Sequence, residues 1–327
     1  GSILDYYAQI HRDWGWESEG CREALDAAEA VGSILADHEL GRFLVLGAGA
    51  CRLTQELHHR YRATATLALD VDPLPFVVAQ RLLQGRTVRL YEFPAWPLDS
   101  TKLFADRSLS SATPADPTLR LVFADARDPP VRAQSFDTVL TPWFIDLVDM
   151  PALFERIWQV LVPGGCWINF GPLLYGESAT GLPGRYCIDE VFDRVETAGF
   201  SIERHSFRRM TYMHSPISCQ GRVETVLTFC ARRLADKPAQ PDAQSPDWLV
   251  DAALPVPVLP GLERYEPTHA MLRTIVNLID GKRSASDIGD LLVRHHSLPR
   301  EHALTAVTAC LRAIERDART ATTTRPG

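Results

Sequence analysis

The sequence predicts an α/β protein, a parallel sheet covered by helices on both faces, followed by a smaller and mainly helical domain. Two observations carry this. Between Phe43 and about Arg233, short apolar runs of strand length alternate with segments of helical period, the pattern of consecutive βαβ units. Beyond a Pro-rich stretch, residues 261–316 show helical periodicity alone. A length of 327 residues accommodates two such domains.

The elements follow in order. Residues 1–40 form an N-terminal helical cap, its amphipathic pattern running from Ile3 to Ala36 and broken near Gly15 and Gly20. The α/β domain covers 41–234, with strands at Phe43–Leu46, Ala65–Leu69, Leu119–Phe123, Thr138–Leu140 and Cys166–Phe170. Helices at 52–62, 73–84, 151–162 and 187–198 separate them. After the turn at Gly199, Ser201–Arg208 and Val223–Ala231 make an antiparallel hairpin at the end of the sheet. The stretch Glu92–Pro117, rich in Pro, Ser and Ala, is too long for a plain connection and predicts a lid or binding loop. Residues 235–260 carry Pro238, Pro241, Pro246, Pro255, Pro257 and Pro260 and predict a linker. The small domain spans 261–316, and 317–327 is a polar, frayed tail.

Composition narrows the function classes. Lys and Arg number 34 against 41 Asp and Glu, a net charge of −7, which argues against nucleic-acid binding and against docking on anionic membrane. No apolar run approaches the roughly 18–20 residues of a membrane span, and no basic-then-apolar signal segment is present. The seven cysteines form no Cys-x-x-Cys pair and none has a His at zinc-finger spacing, so no metal site is expected. A chain of this size needs no disulfide staple. The scattered, odd set suits a reducing compartment, hence a cytoplasmic protein.

Leu44-Val45-Leu46-Gly47-Ala48-Gly49-Ala50-Cys51-Arg52-Leu53 is a strand entering a Gly-rich turn and then a helix. Gly47 and Gly49 allow a tight turn and close approach of a ligand. Cys51 stands where a dinucleotide fingerprint wants its third glycine, and a plain strand–helix turn would look the same. The second strand ends in Leu69-Asp70-Val71-Asp72. A carboxylate there can accept hydrogen bonds from both ribose hydroxyls, a role assigned to Asp70, with Asp72 as N-cap before Pro73. Asp125, just past the next strand, can accept from an exocyclic amine such as that of adenine. All three lie at the carboxyl edge of the sheet, where ligands bind in such folds.

This set resembles class I S-adenosylmethionine-dependent methyltransferases, with a Rossmann dehydrogenase as the rival. Leu161-Val162-Pro163-Gly164-Gly165, a helix stop and turn before a strand, is typical of the methyltransferases. The resemblance implies a Rossmann-like sheet and S-adenosylmethionine as cofactor, leaving S-adenosylhomocysteine. The residues expected to bind it are Gly47, Gly49, Asp70, Asp125, Ala126 and Thr141.

Three further stretches resemble the carnosine N-methyltransferase family: Gln9-Ile10-His11-Arg12-Asp13-Trp14 with Glu17-Ser18-Glu19-Gly20, then Trp143-Phe144-Ile145-Asp146, then Trp167 through Tyr175. The likeness covers roughly residues 5–232. It implies that Gln9 and Arg12 hold the methionine part of the cofactor; an Arg fork matches a carboxylate. Without it, Arg12 reads as an ion-pair partner of Asp13 or Glu17, and Trp14 as core. The resemblance also implies that Asp146 contacts the imidazole of the acceptor. A carboxylate accepting the N–H of one ring nitrogen leaves the lone pair of the other free to attack. Asp146 read locally is a charge near the start of the helix at 151. Tyr212 matches a substrate-contacting tyrosine, or is a half-buried strand aromatic, and Tyr175 joins Asp146 and Tyr212 in the catalytic set. Two positions depart from the family: Gly176 replaces a histidine and Val223 a tyrosine. Both remove polar contacts for a dipeptide, which favours a smaller histidine derivative, such as a thiol- or selenol-substituted histidine of the ovothiol type.

Residues 262–266 and 278–288, with Asp280-Gly281-Lys282-Arg283 before Ser284-x-x-Asp287-Ile288, are similar to the small PqqD-like domains that bind leader peptides. They imply a winged-helix-like fold; a packing or dimerising appendage has the same punctuation. Three functional readings stand: methylation of a small histidine-derived metabolite, methylation of a histidine in a peptide held by the C-terminal domain, and a non-catalytic cofactor-binding protein.

Overall fold

The computed structural model describes residues 3–36, 38–113, 116–175, 185–237, 247–258, 270–296 and 300–323. The chain divides into two compact units, one of residues 1–175 and 186–238, the other of 176–185 and 239–327.

The first unit opens with α1 (Ile3–Trp14) and α2 (Glu23–Leu35), the expected helical cap. There follow β1 (Arg42–Leu46), α3 (Arg52–Arg60), β2 (Ala65–Asp70), α4 (Pro73–Leu83), β3 (Val88–Glu92), β4 (Ala105–Leu109), β5 (Leu119–Phe123) and β6 (Phe136–Pro142). Then come α5 (Met150–Val160), β7 (Leu161–Gly171), α6 (Ile188–Thr197), β8 (Phe200–Tyr212) and β9 (Arg222–Arg233). Seven of these strands form one sheet in the order β5-β2-β1-β6-β7-β9-β8. Strands β5, β2, β1, β6 and β7 pair in parallel, and β9 runs antiparallel to both β7 and β8. The protein is therefore α/β with a Rossmann-like sheet. Strand order reverses between β1 and β6, which opens a crevice at the carboxyl edge.

The near-continuous apolar run of β1 follows from burial on both faces. Phe43 and Val45 pack with Val31, Ile34 and Leu35 of α2, while Leu44 and Leu46 pack with Phe154 and Ile157 of α5 and Val191 and Val195 of α6. Trp167 is the hub of this second layer, its ring 4.7 Å from Phe154, 5.2 Å from Phe200 and 5.0 Å from Phe229. Trp167→Ala is expected to cost about 3–5 kcal/mol, read as a lower denaturant midpoint at unchanged slope.

Several elements depart from expectation. Helix α5 stops at Val160, and Pro163-Gly164-Gly165 is no free turn. It forms an irregularity at the head of β7, where Phe136 faces Leu161 but Thr138 already faces Cys166. Strands β8 and β9 run on to Tyr212 and Arg222, because alternating exposed polar residues conceal their outer halves from an apolar-run reading. The stretch expected to be a lid contains β4, antiparallel to β3. Buried Glu92 pairs there with buried Arg107, and Pro97 bridges to Ser218. Cys166 and Cys230 come into disulfide contact between β7 and β9 with Cα atoms 6.5 Å apart, a pairing that spacing along the chain did not suggest.

The second unit contains α7 (Asp247–Val250), α8 (Ala270–Leu278), α9 (Ala285–His296) and α10 (Arg300–Thr323). Its core joins Ile275, Ile288, Leu292, Val307 and Leu311 with Val256. Val256 lies within the expected linker, yet it is fully buried and its N–H donates to the Arg283 carbonyl at 2.8 Å. The linker expectation thus fails for 247–258, where apolar Trp248 and Val256 outweigh the prolines. The expected tail is helical as far as Thr323. Ser284 and Asp287 exchange hydrogen bonds at the start of α9, Ser284 N–H to Asp287 Oδ2 at 2.9 Å and Asp287 N–H to Ser284 Oγ at 3.1 Å, a reciprocal N-terminal cap. Among the described residues, no helix is long and apolar enough to cross a membrane.

Candidate cofactor and active site

The Gly-rich turn sits where sequence places it, between β1 and α3. The N–H groups of Gly47 and Ala48 both donate to the Leu69 carbonyl, at 3.0 and 2.9 Å, which fastens the turn to the end of β2. Gly47 has φ +79, and a Cβ there would meet the Phe144 ring at 2.8 Å. Gly47→Ala is expected to weaken cofactor binding about tenfold or more, through both the left-handed backbone and the displaced Phe144; titration calorimetry reads it. Cys51, at the missing third glycine, also adopts a left-handed backbone with φ +65. Burial, helped by Asp70 and Asp13, raises its thiol pKa far above the usual range, so it stays neutral.

Asp70 organises this turn. Its Oδ2 accepts the Gly49 N–H at 2.6 Å and its Oδ1 the Asp72 N–H at 2.8 Å. Asp72 occupies the N-cap position of α4 before Pro73.

The N-terminal cap is held onto the turn from above. Trp14 Nε1–H donates to the Ala50 carbonyl at 2.8 Å, and the Arg52 guanidinium lies 5.2 Å over the Trp14 ring. The Gln9 amide oxygen therefore comes within 3.8 Å of where a Cβ on Gly49 would stand. Arg12 donates through Nε to Asp13 Oδ1 at 2.8 Å and stands 5.6 Å from the Tyr212 ring centre. Burial alone would lower its pKa, but Asp13, Tyr212 and Glu23 more than offset that and raise it. The local ion pair with Asp13 expected for an isolated Arg12 thus exists, but facing inward. Tyr212 stacks on Trp143 at 4.1 Å and 25°. Glu23 accepts the N–H groups of Met213 and His214, both at 2.9 Å, which ties α2 to the end of β8.

A cavity of about 390 Å³ results at the carboxyl edge. Of the residues expected from sequence, Gln9, Arg12, Gly47, Gly49, Asp70, Asp125, Ala126 and Tyr212 line it. Asp125 sits at its rim, already bound by Arg127 at 2.7 Å, which lowers its pKa. Glu23, Trp143, Phe144 and Leu147 also line it. Trp143 and Phe144 were legible as part of a motif, whereas Glu23 carried no signal.

Three expected residues lie elsewhere. Thr141 is fully buried inside the sheet, where it donates to Asn169 Oδ1 at 3.1 Å and accepts from Trp167 Nε1 at 3.0 Å. Strand alternation turns it away from the cavity and gives that contact to Pro142. Asp146 lies on a short 3₁₀ turn, Ile145–Leu147. Leu147 faces the cavity, but Asp146 is buried and its Oδ2 accepts the Leu174 N–H at 2.9 Å. Burial pushes its carboxyl up to about 6, against the opposing Leu174 hydrogen bond. Tyr175 donates its hydroxyl to the Tyr186 carbonyl at 2.9 Å, and burial with the nearby Asp146 charge raises its pKa. The turn toward Asp146 begins at Trp143, whose φ is +53 and whose N–H donates to the Phe170 carbonyl at 2.7 Å. Only a glycine at 171 leaves room for it, because a Cβ would lie 3.0 Å from the Trp143 backbone. Gly176 lies outside the described residues, and Val223 is 57% exposed.

Comparison with known proteins bears on this arrangement. Residues 102–234 match the carnosine N-methyltransferase family. Over those residues the chain is similar to carnosine N-methyltransferases. It is 33% identical over 105 residues to carnosine N-methyltransferase unmet of Drosophila melanogaster, covering 30% of this chain and 23% of that protein. It is 48% identical over 48 residues to the carnosine N-methyltransferase of Dictyostelium discoideum, covering 14% and 10%. The chain spans about a quarter or less of the length of these curated relatives. Among solved structures it is similar to an S-adenosylmethionine-dependent methyltransferase from Mesorhizobium loti, at 17% identity and TM-score 0.43 over 64% of this chain and 100% of that one. It is also similar to geranyl diphosphate methyltransferase in complex with S-adenosylmethionine, at 11% identity and TM-score 0.44 over 65% and 86%.

The residues around the cavity would suit S-adenosylmethionine, the cofactor the sequence resemblance implies. Gly47 and Gly49 leave space where side chains would intrude, Arg12 offers a cation for a carboxylate, and Asp70 offers a carboxylate for ribose hydroxyls.

Proposed function

We propose that the chain methylates an imidazole nitrogen of a small histidine derivative, with Asp146 orienting the ring. The observation that carries this reading is the environment of Asp146, a buried carboxylate two residues beyond the cavity-lining Phe144. It accepts a backbone N–H and, among the described residues, forms no ion pair with a cationic side chain. Such a group is suited to accept one further N–H from a ligand.

S-adenosylmethionine, when bound, supplies an electrophilic methyl group. The chain's residues do the rest. Asp146 accepts the N–H of one ring nitrogen, so that the other presents its lone pair, and its charge stabilises the imidazolium that develops. Trp143, Phe144 and Tyr212 wall the site and keep water out. Such positioning is worth up to ~7–11 kcal/mol, so no strong base is required. Tyr175, fixed by its bond to Tyr186, and Tyr212 are read as acceptor contacts. The departures at Gly176 and Val223 favour a histidine bearing a thiol or selenol on the ring over carnosine.

The test is mass spectrometry of reactions with histidine, carnosine, thiohistidine and selenohistidine. Gain of one methyl on a ring nitrogen of a substituted histidine is the expected outcome. Exclusive methylation of sulfur or selenium, or of none of the four, overturns the reading. A second reading takes the C-terminal unit as PqqD-like, presenting a peptide histidine; its Ser284–Asp287 cap and three-helix core support the comparison. Turnover of a small acceptor by the full chain without any peptide argues against that reading, and strict dependence on a peptide argues for it.

A further inference from the structure

We propose that His58, His59 and Asp116 form a Zn²⁺ site at the edge of the sheet opposite the cofactor cavity. His58 and His59 belong to the last turn of α3, and Asp116 lies just before β5. One imidazole nitrogen from each histidine and one carboxylate oxygen of Asp116 lie within 4.8 Å of one another. His58 Nε2 is 3.1 Å from Asp116 Oδ2. Two donors each ~2.0–2.1 Å from a tetrahedral ion stand about 3.3 Å apart, so that pair needs almost no movement to share one.

The surroundings of the donors make the stronger argument. His58 Nδ1 is 2.7 Å from the hydroxyl of buried Thr66, which can accept its proton and leave Nε2 as the nitrogen turned toward Asp116. The remaining carboxylate oxygen of Asp116, Oδ1, accepts the Thr118 N–H at 2.8 Å and the Thr118 hydroxyl at 2.5 Å. Ligands whose far sides are already oriented by hydrogen bonds are the usual architecture of protein zinc centres. His59 is exposed and completes the set from the open side, leaving a fourth position for water. The cation would also lie at the negative end of α3. Arg60, the other cation of that turn, is paired with Glu56 at 3.1 Å. Spacing along the chain conceals the cluster, because Asp116 is distant in sequence from both histidines.

The full-length chain, stripped of metal and titrated with zinc chloride against a chromogenic chelator, tests this. One Zn²⁺ is expected per chain, with His59→Ala and Asp116→Asn each weakening it by about tenfold or more. Because His59 is exposed, its variant folds normally and should bind S-adenosylmethionine as the parent does. Cobalt(II) substitution should give the intense visible bands of a four-coordinate ion, absent in His59→Ala. Equal zinc uptake by parent and His59→Ala, or a pale six-coordinate cobalt spectrum in the parent, would overturn the proposal.

Discussion

Asp146→Asn should lower kcat by about 10²–10⁴-fold, the range for a residue that handles a proton contact in the transition state, and leave the Kd for S-adenosylmethionine unchanged. The amide keeps an acceptor for Leu174 but offers no charge to the imidazolium that develops. The parent's rate should rise with pH through about 6, where burial places the Asp146 carboxyl, and the variant should lose that rise. Stability runs the other way. A carboxyl raised from 3.8 to about 6 contributes stability below the ordinary carboxylate range that is lost as pH climbs through 6, an effect on the order of 3 kcal/mol. Asp146→Asn should therefore melt no lower than the parent at pH 8. A rate loss accompanied by a lower Tm, or by weaker cofactor binding, would remove Asp146 from the role assigned to it.

Asp70→Ala should produce the mirror image, with cofactor affinity reduced by about 10²–10³-fold in calorimetry. The variant would lose the carboxylate expected at the ribose and also orphan the Gly49 and Asp72 N–H groups that Asp70 now satisfies. Hydrogen bonds to a charged group are worth about 1.5–3 kcal/mol each. Asp70→Asn retains an acceptor and should fall between parent and alanine. An Asp70→Ala variant that binds S-adenosylmethionine normally would mean that the cavity holds its ligand by other groups.

What the sequence disclosed of this molecule follows its periodicities. Strands β1, β2 and β5 are legible because they are apolar runs between helices, and the Gly-x-Gly turn, Asp70 and Asp125 are legible because they terminate those runs. Polar strands are not: the outer halves of β8 and β9 are largely exposed, so their extent to Tyr212 and from Arg222 was missed. Thr141 was expected from the methyltransferase resemblance, but a period of two decides its direction and turns it into the core. Contacts between distant segments left no local mark. Neither the bond from Trp14 to Ala50 nor that from Glu23 to Met213 can be inferred from spacing, yet these two clasp the cap over the cavity. At 247–258, prolines outvoted two apolar residues that the fold values more.

The wall of that cavity is stitched from both ends of its unit, Gln9 to Glu23 on one side and Met210 to Tyr212 on the other. Among the described strands, β8 pairs with β9 alone, which inserts between it and β7. A ribosome extending the chain at about 5–20 residues per second takes roughly 10–40 seconds to pass from Gln9 to Met210, and over that interval the wall has one side. Closure of this wall therefore waits on β8, although the Gly-rich turn, Asp70 and α1 are synthesised long before it.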